Sequence, residues 1–136
     1  MARMLALDYG RARIGVAVSD ALGITAQPLG FIPRSDDRQA ATVVAALAKK
    51  EQVGGIVIGL PLHAHGAAGE NVAWVRAFLV ELQAVCALPV HELDERYTTS
   101  EAEDRLRRRG EWPAPPGRID ALSAVILLER HLAGER

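Results

Sequence analysis

With 136 residues, 49% of them hydrophobic and 24% charged, the chain can bury one sizeable core but not two, and its apolar content excludes a disordered or fibrous protein. Lys and Arg together number 16 against 17 for Asp and Glu, a net charge of -1, so no global basic field draws a polyanion and any nucleic acid has to be held by a local patch. Cys86 is the only cysteine, which excludes an intramolecular disulfide and fits a reducing cytoplasm. No run approaches the ~18 apolar residues of a membrane span, and the first apolar run meets Asp8 too early to be a signal-peptide core, so a soluble, intracellular, single-domain protein with no membrane partner is expected.

RMLALD (Arg3 to Asp8) and IGVAVSD (Ile14 to Asp20) predict two short strands joined by a glycine-bearing turn, a hairpin. ITAQPLGFIPR (Ile24 to Arg34) predicts a third strand at a sheet edge, because Pro28 cannot donate to a central ladder. DDRQAATVVAALAKK reads as an amphipathic helix with Ala40, Val43, Val44, Leu47 and Ala48 inward, acids at its start and lysines at its end. GGIVIG (Gly54 to Gly59) has the continuous apolar character of a parallel strand covered on both faces.

The glycine- and histidine-rich stretch LPLHAHGAAG should be a loop. ENVAWVRAFLVELQAVC then sets Val72, Val75, Phe78, Leu79, Leu82 and Cys86 on one helical face, and PVHELD returns to a strand. Thr98 to Glu101 matches the S/T-x-x-E capping box and should open a helix that stops near Gly110. EWPAPPG (Glu111 to Gly117) is expected to be a loop, and IDALSAVILL a deeply packed last helix with Asp120 in its first turn. A three-strand meander followed by two strand-helix units makes the fold class α/β.

Three carboxylates lie at element ends beside apolar sequence: Asp8, Glu95 and Asp120. A buried, unpartnered carboxylate is costly, so each needs a reason. If the first strand is central and the fourth and fifth run parallel to it, Asp8 and Glu95 reach the carboxyl edge of the sheet, where α/β sheets bind ligands, and the last helix can bring Asp120 there. Converging carboxylates repel one another unless a hard cation such as Mg²⁺ or Mn²⁺ neutralises them, and a two-metal site for phosphoryl transfer needs this ligand set. Strand alternation alone does not choose among Glu92, Asp94 and Glu95.

LALDYGRARIGVAVSD, the GLP loop at Gly59 to Pro61, DERYTTSEAE and the late Asp-Ala pair in an apolar helix together resemble the YqgF/RuvX family of RNase H-like nucleases. The resemblance implies a five-stranded mixed sheet of order 3-2-1-4-5 with helices on both faces, one RNase H-like domain over 1–136, and an acidic triad matching Asp8, Glu95 and Asp120, Glu95 being the choice it makes among the three acids. It also implies metal-dependent nuclease activity on the 5′ end of pre-16S rRNA, on branched DNA such as Holliday junctions, or both. Two Mg²⁺ or Mn²⁺ ions on the triad are the implied cofactors, and the expected assembly is a monomer or homodimer. Where the family's GLP loop commonly continues with Asn and Asp-Gly, this chain has His63 and His65-Gly66.

Basic residues near these acids are the candidates for holding a phosphate backbone. Arg11 and Arg13 sit in the turn after Asp8, while Arg96 and Arg118 neighbour the other two acids. Arg107, Arg108 and Arg109 lie at a predicted helix C-terminus, where cations also complement the dipole. His63-x-His65 reads as a solvated loop rather than a transition-metal pair. Trp74 reads as a packing residue, and Trp112 as packing or as a base-stacking platform. A non-catalytic RNase H-like module that grips structured RNA is the rival to the nuclease, and clustered acids that repel phosphate argue against it.

Overall fold

The computed structural model describes residues 3–61 and 68–134; the His63 and His65 positions lie outside these described residues. Three antiparallel strands come first, β1 (Arg3–Tyr9), β2 (Arg13–Ser19) and β3 (Ala26–Pro33), followed by α1 (Asp37–Lys50). Then come β4 (Val53–Leu60), α2 (Ala68–Val85), β5 (Val90–Asp94), α3 (Thr98–Arg108) and α4 (Pro116–Leu132). The sheet order is β3-β2-β1-β4-β5, with β4 parallel to both β1 and β5. The expected sheet and the edge position of Pro28 are both present, and the ladder register shifts between Val16 and Ala17, the latter opposite Pro28.

The two faces of the sheet differ in residue size. Leu5, Leu7, Ile14, Val16, Val18, Ile56 and Ile58 point to one face, where Val44 and Ala48 of α1 and Phe78 and Leu82 of α2 cover them. Each such fully buried side chain stabilises the fold by about 1.5–3 kcal/mol relative to exposure. The opposite face shows Ala6, Ala17, Val57 and Leu93 to α3 and α4, with Leu106, Leu122, Ile126 and Leu127 packed on them. Small residues on this face let α4 lie close, and its span Ala121–Leu128 is buried throughout. No helix among the described residues is long and apolar enough to cross a membrane.

Four local expectations are corrected. Val43 is exposed, so the inner face of α1 is Ala40, Ala41, Val44 and Ala48. The capping box at Thr98 does not form: Tyr97 precedes the helix in a left-handed conformation (φ 63°), and Thr98 Oγ1 donates back to the Glu95 carbonyl at 3.1 Å. Pro116 and Gly117 belong to α4 rather than to a loop, because proline fits the first helical position, where no amide donor is needed. Asp120 consequently lies in the second turn, out of reach of the helix-terminal dipole.

Candidate active site

The period of two along a strand decides which side chains meet at the carboxyl edge of the sheet. Ala6, Val57 and Leu93 face α4, and two residues further on come Asp8 in β1, Gly59 in β4 and, one residue past the end of β5, Glu95. Asp8 pairs with Gly15 across the hairpin, and both point to the same side. A Cβ on Gly15 would lie 2.0 Å from the Asp120 carbonyl oxygen, so only glycine lets the α4 backbone approach here. On the other flank, a Cβ on Gly59 would lie 2.8 Å from Glu95 Oε2 and 2.9 Å from Leu127 Cδ1. Two glycines therefore make the space into which Glu95 and Asp120 converge on Asp8.

Electrostatics carry the mark of that convergence. Burial pushes the Asp8 carboxyl up to about 6, against the hydrogen bond from Glu95, and the Asp120 charge adds to the rise. Glu95 is pushed up to about 9, by burial first and then by the Asp8 charge, their hydrogen bond and Asp94. Asp8 and Glu95 thus hold a proton between them near neutral pH, as two close carboxylates do when no other cation separates them. Asp120 is engaged differently: Arg13 Nε donates to its Oδ2 at 2.6 Å.

Among the described residues no three acidic, histidine or cysteine side chains already close round one point as metal ligands do. The donor set nevertheless suits a hard divalent cation. It consists of carboxylate oxygens, and a proton on one pair and a guanidinium on the third now do the neutralising that a cation would do.

The remaining candidates divide by partner. The Arg11 guanidinium lies over the Trp74 ring, 4.1 Å from its centroid. Arg34 holds the turn beneath it, donating to the carbonyls of Gly10 and Arg11 at 3.1 and 2.9 Å. Arg96 is exposed, its guanidinium 5.8 Å from the Tyr97 ring, and its own carbonyl accepts from Arg130 at 2.6 Å.

Arg107 pairs with Glu103 and lies over Trp112, Arg108 pairs with Asp104, and Arg118 pairs with Glu111 at 3.0 Å. Arg109 is exposed at the C-cap of α3. These three pairs balance Arg107, Arg108 and Arg118 away from the acids, whereas Arg13 is paired with one of the acids themselves and Arg11 and Arg96 lie against aromatic rings. Trp74 was not among the site residues expected from sequence. Its signal lay in its position beside the buried stripe of α2 rather than in it.

An antiparallel hairpin leading into parallel strands, with acids at the carboxyl edge of β1, just past β5 and on the facing helix, defines an RNase H-like nuclease. The RuvX family model, described as Holliday junction resolvase, matches residues 2–134, and the chain belongs to that family.

A relative from Anaeromyxobacter sp. (strain Fw109-5) is 40% identical over 134 residues, covering 97% of each chain. One from Albidiferax ferrireducens is 42% identical over 128 residues, covering 94% of this chain and 76% of its own. Both carry a provisional pre-16S rRNA nuclease name. Among solved structures, T. thermophilus RuvC in complex with a Holliday junction substrate aligns with a TM-score of 0.57 at 18% identity, over 97% of this chain and 94% of that one. The large terminase nuclease of phage G20c aligns at 0.56 and 11% identity, over 99% and 83%. These two likenesses speak for the fold alone.

Proposed function

We propose that this RuvX-family nuclease hydrolyses phosphodiesters of precursor 16S rRNA with divalent cations bound at Asp8, Glu95 and Asp120. The observation that carries the reading is the meeting of Asp8 and Glu95 at the carboxyl edge, with Asp120 opposite, in space that Gly15 and Gly59 keep open. A fold needs no such cluster: burying carboxylates together is unfavourable unless they bind something positive. Nucleases of the RuvC-like fold depend in general on divalent metal ions; Mg²⁺ or Mn²⁺, as a pair, is the choice that the oxygen-only donor set favours. Bound there, the cation supplies an activated water and charge stabilisation at the leaving oxygen.

The protein's own groups perform the rest. Asp8 and Glu95 give up their shared proton when the site is charged. Asp120 would help to hold the cation, and Arg13, now paired with Asp120 at 2.6 Å, would then be free to hold the phosphate. Arg11 and Arg96 hold the strand on either side through charge-assisted hydrogen bonds. The family's description as a Holliday junction resolvase favours branched DNA as the second substrate.

The test is cleavage in Mg²⁺ or Mn²⁺ of a 16S rRNA precursor and a four-way DNA junction, side by side, by wild type and by Asp8→Asn, Glu95→Gln and Asp120→Asn. Each variant removes a charge and little volume, so each should abolish cleavage with an unchanged far-UV circular dichroism spectrum. Full activity in any one removes that residue from the site, and binding of RNA without cleavage by wild type returns the chain to the non-catalytic reading.

A further inference from the structure

We propose that the groove between the β1–β2 turn and α2 takes one unpaired nucleobase of the substrate strand, stacked on Trp74, with the adjoining phosphate over the carboxylates. The inference rests on the nuclease reading and deepens it. The groove, of about 230 Å³, is lined by Arg11, Pro61, Asn71 and Trp74 among others, with Glu95 at one side. That is less than the ~300–1,000 Å³ taken up by drug-sized ligands, and so suited to a single flat ring rather than a stacked pair. Because Glu95 belongs to both the groove and the acidic cluster, a base bound here fixes which phosphate meets the acids.

Three features favour a nucleobase over other flat ligands. Trp74 is only half-buried and, among the described residues, belongs to neither hydrophobic core cluster. Over its ring lies the Arg11 guanidinium, 4.1 Å from the centroid, a cation on an aromatic face beside the proposed phosphodiester site. Asn71, one helical turn before Trp74, brings an amide that can both donate to and accept from a base edge.

An exposed cation–π contact is weaker than the stacking of a base on an aromatic ring by roughly severalfold in equilibrium constant. The base therefore takes the place of the guanidinium on the indole, and Arg11 moves to the neighbouring phosphate. A duplex keeps its bases stacked on one another, so the site selects an unpaired or splayed position in the strand.

The experiment uses the Trp112→Phe protein, in which Trp74 is the only tryptophan, and an end-labelled single-stranded RNA octanucleotide in metal-free buffer, where the strand is not cut. Trp74 emission should be quenched in step with binding followed by anisotropy of the label. Trp74→Ala should weaken binding about tenfold, and Trp74→Phe, which keeps a stacking face and guards against a folding defect in the alanine variant, by no more than about threefold. Across a series of octanucleotides each lacking one base, the Trp74→Ala loss should vanish for one position. Arg11→Ala should lower the slope of log K against log salt by ~0.7, one single-strand phosphate contact.

Unchanged Trp74 emission at saturation, or an equal Trp74→Ala loss on every abasic strand, overturns the subsite. If wild type still cleaves and Asp8→Asn does not, that failure leaves the nuclease centre standing. If the triad variants all cleave, the nuclease centre falls whatever Trp74 does.

Discussion

Asp8→Asn should make the metal-free protein more stable, in a pH-dependent way that follows from the acidic pair. Folding raises the Asp8 carboxyl from 3.8 to about 6. A raised carboxyl favours the folded state when protonated, so its contribution is complete below about pH 3.8 and is lost as pH climbs through about 6. At pH 8 wild type has lost about 2 pKa units of linkage, or about 3 kcal/mol at 1.36 kcal/mol per unit.

Asparagine carries no charge to ionise, and its amide still reaches Glu95. Its own burial offsets part of the gain, which leaves about 1–2 kcal/mol. For a chain of this length that is a rise of roughly 4–8 °C in Tm. Thermal melts in EDTA at pH 4 and pH 8 measure it: the variants should nearly coincide at pH 4 and separate at pH 8. Added Mn²⁺ should then raise the wild-type Tm by selective binding to the folded state, and raise that of Asp8→Asn much less. A mutant destabilised equally at both pH values, with an undiminished Mn²⁺ shift, would refute the reasoning and make Asp8 an ordinary turn residue.

The two glycines that frame the cluster should be less replaceable than the acids themselves. Gly59→Ala sets a methyl 2.8–2.9 Å from Glu95 Oε2, Glu95 Cβ and Leu127 Cδ1, so Glu95 has to shift; it should cost about 1–3 kcal/mol in urea melts and depress cleavage. Gly15→Ala meets the Asp120 backbone instead, so it should cost more than Gly59→Ala, and a smaller loss would contradict the close approach of α4. Arg13→Gln removes the cation that competes for Asp120, so calorimetry should find Mn²⁺ bound about two- to fivefold more tightly, against a weakening if Arg13 instead supports the site. Replacing Arg107, Arg108 and Arg109 together with Ala should change the salt slope for RNA binding by no more than about one contact, ~0.7, because two of the three are already paired.

The sheet was legible because its signals are local. Alternation and a turn mark the β1–β2 hairpin, the unbroken apolar run of β4 marks a strand covered twice, and Pro28 marks an edge. Element starts were less legible where two local rules compete. Pro116 is both a loop residue and a good first helical residue, and nothing nearby says which applies until α4 packs on β2. The Thr98 motif has the spacing of a capping box, yet Tyr97 takes the left-handed turn and Thr98 falls one position inside the helix. Arg13 meets Asp120 across 107 positions, and no periodicity reports such a pair.

The glycines are the instructive case. Gly15 stands between Ile14 and Val16 and Gly59 between Ile58 and Leu60, in strands where a glycine weakens local structure. In sequence they read as small lapses in good strands. Only the register shows that one sits directly opposite Asp8 and the other two residues beyond Val57 on the same face. A strand propensity lost at both positions is the local cost of bringing a helix backbone and a second carboxylate up to Asp8. Strand propensity given up at the two positions flanking the same aspartate agrees with the proposal that Asp8 belongs to a working site.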